Sequence, residues 1–409
     1  MKGIVQVGWV IMLIAFSLRF FDATFLPPSI VNYVGYLLVL GTIFFSAPLL
    51  ITENGGFTLP IKLVFFSIAL SMAMAYLAWG QGIKDTVIET LPYLVWILFF
   101  FLILTKIPIA VVEKIVVAYG IAYIILYFFQ LSQAPTVLFG KSLWGDEFTV
   151  DRGVIRIIFP GAGVFILSIF MAINKITSGA KGRIFWIGLA FFGLIIPVLQ
   201  VTRQFIFGVF LMYMIHLTRN QHLLQRALTI GGAMVFIFAI LNAGIPQIDG
   251  VIEAGQRDAN LGKDYIRVSA GNYFLTDFAP NMPTKILGNG VPSWGFSRYG
   301  HFVEQLGVNQ GYFLSDVGII AVYAMFGVFA VLGFVLMWIK SFTIPLPNEF
   351  QYLKYYLWYL LLTSFTWFTV YHHHYVVATV MALYLYHTVW SKTYTIRTPK
   401  GEKQKIFIA

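Results

Sequence analysis

The chain has 409 residues, of which 59% are hydrophobic and only 11% are charged, and its mean hydropathy is +0.81. Soluble domains carry roughly 25% charged residues, so this composition excludes an ordinary soluble globular protein. The chain contains no cysteine, which excludes disulfides and thiolate metal ligands, and its formal net charge is +10.

Apolar runs of about 20 residues recur along the sequence, and each is long enough to cross a bilayer of roughly 30 Å. The expected fold class is therefore an all-α polytopic membrane protein with about twelve transmembrane helices. The N-terminal run has no small-residue cleavage site, so we interpret it as the first span rather than as a signal peptide. The expected spans cover approximately residues 3–21, 33–51, 61–80, 91–105, 109–130, 154–173, 184–199, 203–217, 227–243, 310–339, 350–370 and 375–390.

The distribution of charge predicts the orientation of these spans. With the N-terminus in the cytoplasm, the inner loops and ends hold 16 of the 27 basic residues and four of the 17 acidic residues. The inner side then has a net charge of +12 and the outer side a net charge of −2. This asymmetry follows the positive-inside rule. The basic character is therefore a topology signal, and we expect no nucleic-acid partner.

The sequence divides into four parts. A first part of the transmembrane bundle covers residues 1–243, a large outer loop covers 244–309, the last part of the bundle covers 310–390, and a basic cytoplasmic tail covers 391–409. The loop at 244–309 is the only stretch of the sequence large enough for an extramembrane subdomain.

Arginines stand at the outer ends of two expected spans. Arg152 and Arg156 lie four residues apart, and Arg203 opens a span between Thr202 and Gln204. Ionisable groups at membrane depth are costly and are functional candidates by default. Guanidinium groups suit phosphate oxygens, so all three arginines are candidate anion ligands. The alternative for Arg152 and Arg156 is that they anchor the chain at the membrane interface.

The end of the large loop, residues 288–318, combines glycines, charged groups and aromatic rings. A histidine near neutral pH suits proton transfer, and carboxylates are alternative bases. The alternative for the histidine is a solvated side chain with no role. The candidates in this stretch are Arg298, His301, Glu304 and Asp316, together with the aromatic residues Trp294, Tyr299 and Tyr312.

Three consecutive histidines, His372, His373 and His374, follow the eleventh expected span. Neighbouring residues on a helix point about 100° apart, and neighbours on a strand alternate between faces. The sequence therefore favours a polar connection between two spans, and we expect no metal site here.

The order of three motifs resembles the bacterial O-antigen polymerase and ligase superfamily. Thr202-Arg203 is similar to the family's S/T-R pair, and LGNGVPSWGF (287–296) is similar to the G-x-G segment that closes its periplasmic loop. NQGYFLSDVG (309–318) resembles, in degenerate form, the H-N-x-(Y/F)-L-x-x-x-x-E-x-G motif. Arg152-x10-Gly163 is similar to an arginine motif described for the polymerases. The resemblance covers roughly residues 190–330.

One departure concerns the base. The family's histidine directly before the Asn is replaced by Val308, and His301 stands seven residues before that position. The resemblance leads us to expect the base among His301, Glu304 and Asp316.

The resemblance implies a metal-independent glycosyltransferase in the bacterial inner membrane, with a helical bundle of the GT-C type capped by a periplasmic loop and with no cofactor. Its implied donor is a glycan linked to undecaprenyl diphosphate. Arg203, Arg152, Arg156 and Arg298 would bind the diphosphate, and Trp294, Tyr299 and Tyr312 would stack on sugars.

Three functions remain open from the sequence. The first is a polymerase that joins lipid-linked repeat units, with a possible chain-length regulator as a partner. The second is an O-antigen ligase, which transfers the glycan to lipid A-core. The third is a polysaccharide flippase or transporter, which the single asymmetric loop disfavours because transporters commonly contain paired halves.

Overall fold

A computed structural model describes residues 2–142, 147–148, 150–151, 154–200, 202–219, 221–241, 255–256, 260, 262, 265–393, 395–397 and 403–405. The described part of the chain is almost entirely helical. Four of its helical segments are long and apolar enough to cross a membrane: Pro28–Thr52, Thr58–Trp79, Ile83–Thr105 and Ile109–Gln133. These segments agree with a helical membrane protein.

The N-terminal part consists of seven helices with short connections. They are α1 (Lys2–Ser17), α2 (Arg19–Asp22), α3 (Pro28–Thr52), α4 (Thr58–Trp79), α5 (Ile83–Thr90), α6 (Leu98–Thr105) and α7 (Ile109–Gln133). A 3-10 helix, Leu91–Ile97, joins α5 to α6. Gly80 ends α4 in the left-handed conformation that suits a helix C-terminus.

A short hairpin and four further helices follow. Strand β1 (Val150–Asp151) pairs antiparallel with β2 (Val154–Ile155). The helices are α8 (Ala162–Thr177), α9 (Arg183–Leu199), α10 (Arg203–Thr218) and α11 (Leu223–Leu241). Helix α8 is surrounded by α7, α9, α17 and α18 and is buried over most of its length.

The C-terminal part begins with three helices of the expected outer loop: α12 (Ile266–Thr276), α13 (Met282–Leu287) and α14 (Arg298–Gln310). It continues with α15 (Ile319–Phe326), α16 (Val328–Thr343), α17 (Tyr352–Thr363) and α18 (His373–Thr393), with 3-10 helices at Leu314–Asp316, Asn348–Phe350 and Phe368–Val370. The tail strands β3 (Thr395–Arg397) and β4 (Lys403–Lys405) pair antiparallel.

Three expected spans differ from the structure. The eleventh was expected at residues 350–370, but its α-helix ends at Thr363 and is followed by turns and a short 3-10 helix. The sixth was expected at residues 154–173, but residues 154–155 form β2 and the helix begins at Ala162. Pro160 lacks a backbone N–H and Gly161 has φ 110°, so neither continues a helix backward. The tenth was expected as one segment, 310–339, but Gly327 (φ 81°, ψ −175°) divides it into α15 and α16.

The expected closing segment of the large loop is fixed to the bundle. The backbone N–H of Asn289 donates to Ala324 O (3.0 Å), and the N–H of Gly290 donates to Met325 O (2.8 Å). Trp79 Nε1 on α4 donates to Asn289 Oδ1 (2.9 Å). These bonds place residues 288–290 against the end of α15 and the end of α4.

A charged network joins three helices: the N-terminal end of α7, the C-terminal end of α8 and the N-terminal end of α17. Lys175 Nζ contacts Glu113 Oε1 at 3.0 Å, and Tyr352 Oη donates to the same oxygen at 2.9 Å. Both charged side chains are mostly buried. Because each has a partner, the network avoids the large cost of an isolated buried charge.

Candidate functional site

Residues 364–374, which comprise the link from α17 to α18 and the first two residues of α18, lie between the two groups of polar residues that the sequence singled out. We call this segment the 364–374 connection. Gln204 Nε2 donates to Thr366 Oγ1 on one side. On the other side, the N–H of Ile319 donates to Ser364 O (2.6 Å) and Tyr371 Oη donates to Leu314 O (3.1 Å). The connection therefore joins the start of α10 to the segment before α15.

Two of the predicted arginines lie on segments that meet at Thr202. Arg156 Nη2 lies 3.4 Å from Thr202 Oγ1, and Thr202 directly precedes Arg203. A Cβ on Gly255 would lie 3.3 Å from Arg203 Nη1, so a described piece of the large loop approaches this guanidinium. Both arginines are partly exposed.

Gln200 fixes the backbone next to these arginines. Its Nε2 donates to Tyr123 Oη (2.8 Å) and to Ile157 O (3.2 Å), and the residue is buried. These bonds tie the end of α9 to the residue after Arg156. A buried, doubly bonded amide of this kind holds its neighbours in one geometry.

Asp316 lies on the other side of the 364–374 connection and has a basic partner. Its Oδ2 is 3.6 Å from Nε of Arg267 on α12, and both side chains are about one-third exposed. Nearby, the rings of Tyr273 and Tyr312 have their centroids 5.6 Å apart. Helix α12 thus covers the segment that precedes α15, and Asp316 and Tyr312 share one surface.

The remaining candidates lie on or next to α14, which begins where Ser297 Oγ accepts the N–H of Gly300 (2.9 Å). His301 Nδ1 lies 3.6 Å from Glu304 Oε2, and both side chains are more than half exposed. Arg298 and Trp294 are also exposed. This helix docks on α4 and, through Ser297, on Gln81, so its anchoring contacts do not involve Arg203.

Tyr299 is the buried member of this group. Its side chain has no exposure, its ring stacks on Trp79 at a centroid distance of 4.6 Å, and its Oη donates to Gly290 O (3.2 Å). One ring face is therefore already covered by an indole, and Tyr299 anchors α14. A sugar would reach it only after α14 moved away from α4.

A second polar group lies around the end of the same connection. Four consecutive residues of α2, Arg19 to Asp22, have positive φ values of 49° to 62° and form one left-handed turn. Such a turn costs of order 1 kcal/mol for each non-glycine residue, and strain of this kind clusters at functional sites. Arg19 Nε contacts Asp22 Oδ1 at 3.1 Å.

The charge of Arg19 in this turn acts on His372 of the 364–374 connection. Burial lowers the pKa of His372 to about 4, and the positive charges of Lys141 and Arg19 act in the same direction. Tyr93 packs edge-on against His373 at 5.7 Å between ring centroids. The imidazole of His372 is therefore neutral at pH 7 in the absence of a ligand.

The structure thus brings Arg156, Arg203 and Asp316 to the two sides of one connection. It keeps His301, Glu304 and Arg298 on α14 and Trp294 just before that helix, and Arg152 lies outside the described residues. Sequence reasoning did not single out Arg267, Thr366, Arg19 and Lys141. Arg19 carried a signal, because it is a charge near the outer end of an apolar span.

No protein-family model matches this chain, and no curated protein sequence matches it.

Proposed function

We propose that the chain is a glycosyltransferase that polymerises oligosaccharide repeat units linked to undecaprenyl diphosphate at the outer face of the bacterial inner membrane. The observation that carries this proposal is the pairing of Arg156 with Thr202 next to Arg203. A guanidinium that contacts the residue before a second arginine suits a diphosphate, which needs fixed cations as its leaving oxygen gains charge. Arg152 would complete this group.

The proposed topology has about twelve spans with both termini in the cytoplasm, as the positive-inside rule predicts. Residues 244–309 form the periplasmic loop, and its helix α12 covers Asp316 through Arg267. The lipid bilayer, the lipid-linked donor and the lipid-linked acceptor are the proposed partners, and a chain-length regulator is a further candidate partner.

The proposed reaction is an inverting displacement. An acceptor hydroxyl attacks the anomeric carbon of the donor sugar, and the C–O bond to the diphosphate breaks. The bonding electron pair leaves with undecaprenyl diphosphate, whose charge Arg156 and Arg203 stabilise. The hydroxyl proton passes to a base, for which Asp316, His301 and Glu304 are the candidates. Trp294 and Tyr312 are available to stack on sugar rings.

Reconstitution with a purified lipid-linked repeat unit tests the proposal. The wild-type protein should produce a ladder of longer lipid-linked glycans, and Arg203→Ala should abolish the ladder without changing the melting temperature. Arg183→Ala, which removes an exposed arginine at the start of α9, is the matched control. An unchanged ladder in Arg203→Ala would remove the enzyme hypothesis.

The alternatives differ in the product. A ligase would transfer glycan to lipid A-core without joining repeat units. Loss of the ligase would therefore remove all glycan from lipid A-core. Loss of a polymerase would leave single repeat units attached to the acceptor. Movement of labelled lipid-linked glycan across a bilayer that contains this protein alone would indicate a flippase.

A further inference from the structure

Three imidazoles at the start of α18 have no partner for their buried nitrogens. Nδ1 of His372, Nδ1 of His373 and Nε2 of His374 are shielded from solvent and make no hydrogen bond within the described chain. One ring nitrogen from each of the three lies within 4.8 Å of the others. Buried polar atoms in native proteins are nearly always bonded, so a cluster of exceptions marks a place where a bound ligand or ordered water would supply the missing bonds.

The charges that act on these imidazoles are positive. The positive charges of Arg19 and Lys141 act electrostatically on the imidazoles of His372, His373 and His374. The backbone joins the two segments that carry these cations. The N–H of Gly140, next to Lys141, donates to Phe21 O (3.0 Å) and to Asp22 O (3.2 Å), within the left-handed turn that carries Arg19.

This arrangement does not suit a metal ion. The rings of His372 and His373 are stacked, with centroids 4.5 Å apart and planes 23° from parallel. Nearly parallel rings direct their lone pairs alongside each other, whereas a metal requires them to converge at about 2.0–2.1 Å. Arg19 and Lys141 would also repel a cation. Neutral imidazoles each carry one N–H donor, and these donors suit the oxygens of an anion.

We propose that Arg19, Lys141, His372, His373 and His374 form a second anion site, which binds a phosphate-class anion. Arg19 and Lys141 supply the charge, and the three imidazoles supply hydrogen-bond donors. The three histidines lie six or more residues beyond Thr366, which contacts Gln204. Lys141 lies next to the Arg156 segment, because its N–H donates to Ile158 O (3.3 Å), so the two sites are neighbours.

An apolar groove beside this cluster favours a lipid-linked anion. Phe21 in the left-handed turn lies 6.5 Å from Tyr119 between ring centroids. Tyr119 lines a groove of about 400 Å³ between α1 and α7, together with Ile11, Val111, Ile115 and Ala122. A prenyl chain in this groove would place its headgroup near Arg19. This choice of ligand rests on the proposed function, because a polymerase holds two lipid-linked diphosphates at once.

The test uses the full-length protein in detergent and measures pyrophosphate binding by calorimetry in an Arg203→Gln background, so that the first group of arginines is weakened. In that background pyrophosphate should still bind. Lys141→Gln and His373→Gln should each weaken this binding by about tenfold or more, because each removes a charged or buried hydrogen bond. Lys114→Gln, at the other end of the groove, is the matched control and should change binding less than about twofold.

Three results would overturn the site. The first is no pyrophosphate binding in the Arg203→Gln background, and the second is unchanged affinity in both test variants at an unchanged melting temperature. The third is Zn²⁺ binding that His373→Gln abolishes while pyrophosphate binding persists. The source of the bound phosphate is then identified by comparing three ligands: polyprenyl diphosphate, pyrophosphate and unphosphorylated polyprenol. Tighter binding of the lipid form indicates a lipid headgroup, and equal affinity indicates a free anion. If the glycan ladder fails but the anion binds, the proposed function falls and this site stands.

Discussion

Gly288 and Gly327 pack backbone against backbone. A Cβ on Gly288 would lie 2.6 Å from Gly327 N, and a Cβ on Gly327 would lie 2.6 Å from Gly288 N. Both residues have positive φ, 84° and 81°. No side chain fits between these segments, so the end of the large loop and the break between α15 and α16 depend on each other. This close approach of the two backbones explains why the G-x-G segment has a glycine at position 288.

We expect Gly288→Ala to lower the free energy of unfolding by about 2 kcal/mol or more, since both space and backbone conformation oppose the new methyl group. Gly188→Ala in α9 is the control, because a Cβ there meets nothing within 4 Å. Thermal unfolding in detergent compares the two variants. Equal melting temperatures would show that the close approach does not hold the loop.

The second prediction concerns the base. Asp316 lies beside the 364–374 connection, whereas His301 is on the exposed face of α14, so we expect Asp316→Asn to slow polymerisation about 100-fold or more. His301→Gln should slow it less than about tenfold. Because the Asp316–Arg267 pair is about one-third exposed, Asp316→Asn should change stability by less than about 1 kcal/mol.

Single-turnover rates with a lipid-linked repeat unit measure both variants. A large loss in His301→Gln with a small loss in Asp316→Asn would reverse the assignment and indicate that α14 moves toward the arginines during the reaction.

The third prediction is a loss of stability in acid. The pKa of His372 is about 4 in the fold, below its ordinary value near 6.5, mainly because of burial. As the pH falls, His372 is therefore protonated in the unfolded chain before it is protonated in the folded protein. Stability is complete above about pH 6.5, falls as the pH drops toward about 4, and changes no further below that value. The loss due to this residue is at most about 3 kcal/mol.

Melting temperatures across this pH range should fall less steeply in His372→Gln than in wild type. His222→Gln, which changes an exposed histidine, should follow the wild-type curve. The same slope in all three proteins would contradict neutral burial of His372. The other charged or titratable groups near it are Lys141 and Arg19, which act on it electrostatically, and His373 and His374, whose rings contact it.

The fourth prediction concerns metal ions. Arg156 and Arg203 provide permanent positive charge at the expected leaving group, so EDTA should leave the rate of polymerisation unchanged within about twofold. The measurement is the ladder assay with and without chelator. Inhibition that Zn²⁺ or Mg²⁺ reverses would contradict the arginine mechanism.

The fifth prediction uses the absence of native cysteine. Phe296→Cys and Leu223→Cys both place a thiol at a strongly exposed position. A membrane-impermeant maleimide should label Phe296→Cys in intact spheroplasts and should label Leu223→Cys only after lysis, because the two loops are expected on opposite sides of the membrane. Labelling of both in intact spheroplasts would contradict the topology.

The sequence predicted most of the helical segments, because apolar length alone indicates them. The ends of α4, α7 and α10 lie within a few residues of expectation. It was wrong about the start of α8, about a continuous helix through Gly327 and about the end of α17, which stops at Thr363 instead of near residue 370. The first two errors occur at Gly or Pro positions where backbone conformation overrides apolar composition.

The candidate site was predictable only in part. An arginine near the outer end of a span is visible in the sequence, as Arg203 was. The meeting of Arg156 with Thr202 and of Arg267 with Asp316 depends on tertiary contacts between distant segments. The left-handed turn at Arg19 has no local signature, because Arg, Phe and Asp do not ordinarily favour that conformation.

The 364–374 connection also sets a length. Thr366, which contacts the residue after Arg203, and His372, in the second anion site, are six residues apart. A fully extended chain of that length spans at most about 20 Å. If two lipid-linked substrates bind beside Arg203 and His372 as proposed, this length is an upper limit on the distance between the two points of the connection that hold their headgroups. The donor and acceptor sugars would then meet close to the connection.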